Sequence, residues 1–74
     1  MSIQKIGESI GIPGMKKGMA VEVYNGHRGK IVGVNASGNL MIKTDHDDYT
    51  GAYHPTWKIK YFGEDGFLIA EFGE

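Results

Sequence analysis

The 74-residue chain has no cysteine and only two prolines, and no apolar run in it approaches the roughly 18 residues of a membrane-spanning helix. Without cysteine no disulfide can staple a small fold, which argues against a secreted scaffold and for a reducing compartment such as a bacterial cytoplasm. The opening stretch MSIQKIGESIGIPGM lacks the continuous apolar segment of a signal peptide, so the expectation is a soluble, cytoplasmic protein. A basic excess is missing too. The formal net charge is -1 and the isoelectric point about 6.3, whereas domains that live on phosphate attraction usually lie above about 9. Helical periodicity is absent after residue 14. A chain this short forms one domain, near the size at which a single core barely offsets the entropy of ordering.

Glycine, by contrast, is plentiful. Twelve glycines, against an average usage of roughly 7%, fall mostly between apolar runs and punctuate short strands. Met19, Val21 and Val23 alternate with Ala20, Glu22 and Tyr24, the period-two pattern of a strand with one buried face. This predicts a first strand over 19–24, a turn at Asn25-Gly26, and a second strand from Gly29 through Asn35, with Gly29 expected at positive φ. Further strands are predicted over 40–45, 52–53, 58–62 and 67–72, separated by ASGN, HDDYTG and GEDG. His54 before Pro55 is biased to extended geometry, and Pro55 suits the start of a single helical turn near His54–Trp57. Residues 1–14 read as an N-terminal arm or a short helix, with Ile3, Ile6 and Ile10 on one face behind Ser2 as cap, and residues 15–74 as a small β-barrel. The fold class is therefore all-β, a barrel of five to six short antiparallel strands.

Gly18-x-x-Val21-x-Val23, followed by a glycine-rich loop and a β-branched strand, resembles the KOW motif of ribosomal proteins and NusG-type transcription factors, and more loosely the SH3-like small barrels. The likeness covers about residues 16 to 34. It implies an SH3-like barrel and a nucleic-acid contact through Arg28, Lys30, Lys16 and Lys17 with Tyr24. The ending HPTWKIKYFGEDGFLIAEF looks like the ends of short phage-encoded proteins.

Two readings of the loop over residues 25–30 stand side by side. In one, Gly26 and Gly29 serve a barrel corner and His27, Arg28 and Lys30 are ordinary polar loop residues. In the other, an imidazole, a guanidinium and an ammonium within four positions form a grip for phosphate, carboxylate or an acidic patch, with Tyr24 adding a stacking surface. Trp57 is expected in the core, on the same strand face as Ile59 and Tyr61, while Tyr49 and Tyr53 beside the polar loop are the expected exposed pair. The charge is split: residues 1 to 43 carry six Lys/Arg against two acids, and residues 44 to 74 two lysines against seven acids. Such a split marks opposed faces unless a barrel interleaves the two halves.

Catalytic patterns occur only as coincidences. GESIG, residues 7–11, fits the nucleophile-elbow pattern around Ser9, but that device needs a strand-to-helix turn in a much larger hydrolase. DHDD, residues 45–48, fails as a calcium loop because Thr50 and Thr56 stand where glycine and glutamate are required. A zinc site from His46, His54 and an aspartate stands against a solvated acidic turn. No metal, no cofactor and no enzymatic activity are expected. What remains is a binding module, a phage or bacterial accessory factor for a protein partner, or alternatively a nucleic-acid binder. Its candidate contacts are Tyr24, His27, Arg28, Lys30, Lys16, Lys17, Tyr49 and Tyr53.

Overall fold

Alternating apolar positions resolve into strands that share one buried face. The computed structural model describes residues 2–46 and 48–73. It contains α1 (Ile3–Ser9), β1 (Ala20–Glu22), β2 (Arg28–Val34), β3 (Leu40–Thr44), β4 (Thr50–Tyr53), β5 (Ile59–Phe62) and β6 (Leu68–Phe72). All pairings are antiparallel, and the strands form one sheet in the order β4-β3-β2-β1-β5-β6. The expected all-β class holds. The extents of 29 × 28 × 24 Å are nearly equal, so the sheet curls around its inner face as a small barrel-like body.

That inner face carries Val21, Ile31, Leu40, Ile42, Ile59 and Tyr61, each essentially inaccessible to water. Burying an aliphatic side chain of this size stabilises by about 1.5–3 kcal/mol relative to exposure. A bulge at Val32 in β2, where Ile31 pairs Ile42 and Gly33 pairs Met41, changes the parity of the strand and brings Val34 back toward the core. The N-terminal segment closes the open side. Ser2 caps α1 by accepting a hydrogen bond from the Lys5 amide at 3.2 Å, and Ile6, Ile12 and Met15 are buried in the same core as the strands. Gly7 allows this, because a Cβ there would collide with the Ile12 carbonyl and the Met15 side chain. No helix is long and apolar enough to cross a membrane among the described residues.

Gly29 departs from expectation. The positive φ near this corner belongs to Gly26 (φ 85°), and Gly29 is a buried strand residue outside that region. Its lack of a side chain serves a close approach instead: a Cβ would lie 2.5 Å from the Lys43 carbonyl oxygen and 2.8 Å from the Thr44 Cα. Tyr53 is a second correction. Its register opposite Leu40 aims it at the core, against which it packs half-buried. β4 also starts two residues earlier than predicted, because Thr50 and Gly51 join the ladder opposite Lys43 and Ile42.

The two charge halves interleave. Across β2-β1-β5-β6, Arg28 faces Glu22 (3.6 Å), Glu22 faces Lys60 (3.3 Å) and Lys60 faces Glu71 (3.8 Å), while Lys16 pairs with Glu64 in the β5–β6 turn. The Lys16 hydrogen bond and charge hold the Glu64 carboxyl below its ordinary value.

Gly29→Ala should lower stability by about 1–3 kcal/mol through overpacking, whereas Gly33→Ala, where a Cβ meets open space, should leave the urea midpoint unchanged or raised. Equal midpoints for the two variants would mean that β2 and β3 part freely at Gly29. The buried Tyr61 hydroxyl, which donates to the Pro55 carbonyl, generates a pH prediction. Burial pushes its pKa well above the ordinary 10.0, so the folded state holds this proton more tightly than the unfolded chain. Its contribution is complete below pH 10 and is lost as the pH rises beyond. Tyr61→Phe should cost about 1–2 kcal/mol at neutral pH and flatten that alkaline loss in urea unfolding followed against pH.

Candidate binding surface

The eight residues singled out from the sequence separate into different places. Tyr24 follows β1 on the outer side, 56% exposed. Arg28 opens β2, where its guanidinium carbon sits 4.3 Å from the centre of the Phe62 ring while Nε faces Glu22. His27 turns toward the β3–β4 connection and stacks on His46, the ring centres 4.1 Å apart. Lys30 is exposed in the middle of β2, opposite Ala20 on one side and Lys43 on the other. Lys16 and Lys17 lie at a groove beside the β5–β6 turn, and Tyr49 projects from the β3–β4 connection, 73% exposed. Tyr53 faces the core. Arg28 thus borders the groove of Lys16 and Lys17 through Phe62, whereas Tyr24 meets Trp57 and His27 meets His46.

Trp57 contradicts its expected place in the core. It is 47% exposed, and its ring packs against Tyr24 with the centres 5.5 Å apart. The cause is local. Strict alternation would align Trp57 with Ile59 and Tyr61, but Lys58 adopts φ 48°, the left-handed region that non-glycine residues seldom enter. One such residue breaks the extended geometry, so Ile59 still enters the core while Trp57 stays outside. The preceding turn holds that arrangement: the Trp57 amide donates to the His54 carbonyl at 3.4 Å, and the Thr56 amide donates to His54 Nδ1 at 3.2 Å.

Around this aromatic pair the outer face is mixed in charge. A shallow groove of about 280 Å³ runs beside Tyr24 between Lys58, Lys60, Glu22 and Glu71, with Phe72 at its end. The Lys58 ammonium lies 5.3 Å from the centre of the Trp57 ring. A larger groove of about 500 Å³ lies where the 14–20 segment meets the β5–β6 hairpin, over Met19 and Phe62 and against Ile69. Sequence reasoning missed Trp57, Lys58 and Lys60, and also the exposure of Phe67, Leu68 and Ile69. For the last three a signal existed, since consecutive apolar residues in a strand cannot all face one side. For Trp57 none did, because its direction depends on one backbone torsion.

The remaining chemical motifs are absorbed by structure. Ser9 ends α1 with its hydroxyl donating to the Ile6 carbonyl at 2.8 Å. Among the described residues no three His, Asp or Glu side chains gather as metal ligands, and Asp47 of the acidic stretch lies outside the described residues. No family model matches the chain, and neither a curated protein nor a solved structure does.

A half-exposed indole predicts a spectroscopic signature. Native Trp57 emission should lie close to that of a water-exposed tryptophan, move little on unfolding in urea, and be readily quenched by iodide. Strongly blue-shifted, quencher-resistant emission would return Trp57 to the interior.

Proposed function

We propose that this chain is a non-catalytic binding module whose partner is a protein, and that the partner docks on the surface centred on Tyr24 and Trp57. The observation that carries this reading is the exposure of the chain's single tryptophan, its ring packed at a tilt against an exposed tyrosine beside a groove. Tryptophan and tyrosine are enriched at interface hot spots because they supply large area with few rotatable bonds. The rim supports a partner of mixed charge around an apolar anchor, since Lys58 and Lys60 border the groove together with Glu22 and Glu71. The absence of cysteine fits a phage or bacterial accessory factor working in the cytoplasm.

Direct nucleic-acid binding, which the likeness to the KOW motif implies, ranks second on electrostatic grounds. Arg28 is engaged by Glu22 and Phe62, and Lys16 by Glu64, so two of the four cations named for that role already face carboxylates. Tyr24, Trp57 and the nearby lysines are nevertheless a stacking platform in outline.

Two measurements separate the readings. In pull-downs from the native host, a specific protein should be retained by the native chain and lost with Trp57→Ala and with Tyr24→Ala, both variants keeping the native urea midpoint. In titrations with labelled single- and double-stranded oligonucleotides, binding should be weaker than about 10 µM at physiological salt. Submicromolar binding that falls steeply with salt and is weakened by Arg28→Ala and Lys30→Ala would overturn the protein-partner reading.

A further inference from the structure

The outer face of the sheet carries two neighbouring rows of opposite design. One is the alternation Arg28, Glu22, Lys60 and Glu71, in which each charge faces its opposite. In the other, Lys43 lies opposite Lys30, Lys30 opposite Ala20, Ala20 beside Phe62, and Phe62 opposite Leu68. Like charges directly opposed across strands are unfavourable, and Lys30 has no carboxylate partner among the described residues. This row is segregated, with cations at its β3–β2 end and apolar side chains at its β5–β6 end. Leu68 reaches this face through the bulge in β6: Tyr61 pairs Ala70 while Phe62 pairs Leu68, which leaves Ile69 as the extra residue.

The groove of about 500 Å³ opens along the apolar half of this row, lined by Met19, Ala20 and Phe62 and walled by Ile69. Ile69 and Leu68 are 52% and 50% exposed. The Gly18 amide donates to the Ile31 carbonyl at 2.7 Å, which ties this segment to β2. Lys17 is thereby set at the same groove, also without a carboxylate partner among the described residues. We propose that the groove and the lysine row beside it receive an acidic amphipathic segment of a protein partner, with carboxylates on Lys17 and Lys30 and apolar side chains between Met19 and Ile69. The inference rests on the reading that the partner is a protein, and it adds a second contact region, because this groove shares no lining residue with the one beside Tyr24.

Charge complementarity selects this occupant. A basic segment would meet Lys17, Lys30 and Lys43, and a purely apolar one would desolvate Lys17 and Lys30 with nothing to pair them. A nucleic acid would find cations for its phosphates but no open ring for its bases, since Phe62 is 7% exposed and lies beneath the Arg28 guanidinium. Adjacent strands lie about 4.8 Å apart, so the five positions from Lys43 to Leu68 extend about 19 Å, the length of about 12 helical or about six extended residues. A segment with its acidic residues at one end and its apolar ones at the other matches that row.

Fluorescence anisotropy on the full chain tests the proposal with labelled probes of about 12 units: a peptide with glutamates at one end and leucines at the other, a peptide of glutamate alone, and an oligothymidylate. The first should bind at least about tenfold more tightly than either of the others. Lys30→Glu and Ile69→Ser should each weaken it by at least about tenfold with urea midpoints unchanged or raised. Amide shifts on titration should move at Lys30, Ala20 and Phe62 and not at Tyr24. No binding of the first peptide overturns the proposal, as does equal binding of the glutamate peptide, which would reveal attraction to any polyanion. Tightest binding of the oligothymidylate overturns it in favour of nucleic acid. Peptide binding that Trp57→Ala abolishes and Lys30→Glu spares would place the segment on the aromatic surface and overturn it equally. Loss of the Trp57-dependent pull-down with peptide binding intact bears on the proposed function and not on this groove, and loss of peptide binding with that pull-down intact bears on this groove alone.

Discussion

The backbones of β2 and β3 run so close at Gly29 that no side chain fits between them, and the curl of the sheet depends on that approach. Gly29 stands on the inner face in line with Ile31, opposite the buried Thr44. A Cβ at this point would push β3 outward, open the sheet and separate Ile31 from Ile42. Because β2 pairs with β1 as well, the same displacement would propagate to Val21 and through it to Tyr61. A core this small has few alternative packings, so a single backbone contact constrains much of it. The second close approach, α1 against the 12–15 turn at Gly7, plays the matching part at the open side of the core.

Outside the core, charges are arranged to neutralise one another. The alternation Arg28, Glu22, Lys60, Glu71 runs across four neighbouring strands, and each such exposed pair contributes no more than about 1 kcal/mol. Its larger effect is on the surface field: opposed neighbours cancel at short range, leaving no extended stripe of one sign along that row. Aromatic and aliphatic side chains then become the distinctive surface features. Tyr24 and Trp57 mark one region and Phe67, Leu68 and Ile69 another, the two separated along the β5–β6 hairpin.

Much of the fold was legible because strand alternation is a local code. Val21, Val23, Ile31, Leu40 and Ile42 face inward as their spacing requires, and Ser2 caps the helix its position suggested. Tyr24 was placed outward by the same parity. The candidate surface was legible only in part, since Tyr24 and Arg28 were identified but Trp57 was assigned to the core. Parity carries information only while the backbone stays extended, and Lys58 at φ 48° ends its reach at the very residue that separates Trp57 from Ile59.

Length, composition and period two thus determined by themselves that this chain is a single all-β domain with punctuated short strands, because those properties follow from side-chain direction and backbone freedom residue by residue. Tertiary structure alone decided that β1 lies between β2 and β5, that Lys16 meets Glu64 and Glu22 meets Lys60 across the charge divide, and that Gly29 is needed for proximity and not for a turn. Those outcomes depend on which distant segments become neighbours, and such neighbours are selected by the shared burial of a core that no local pattern specifies.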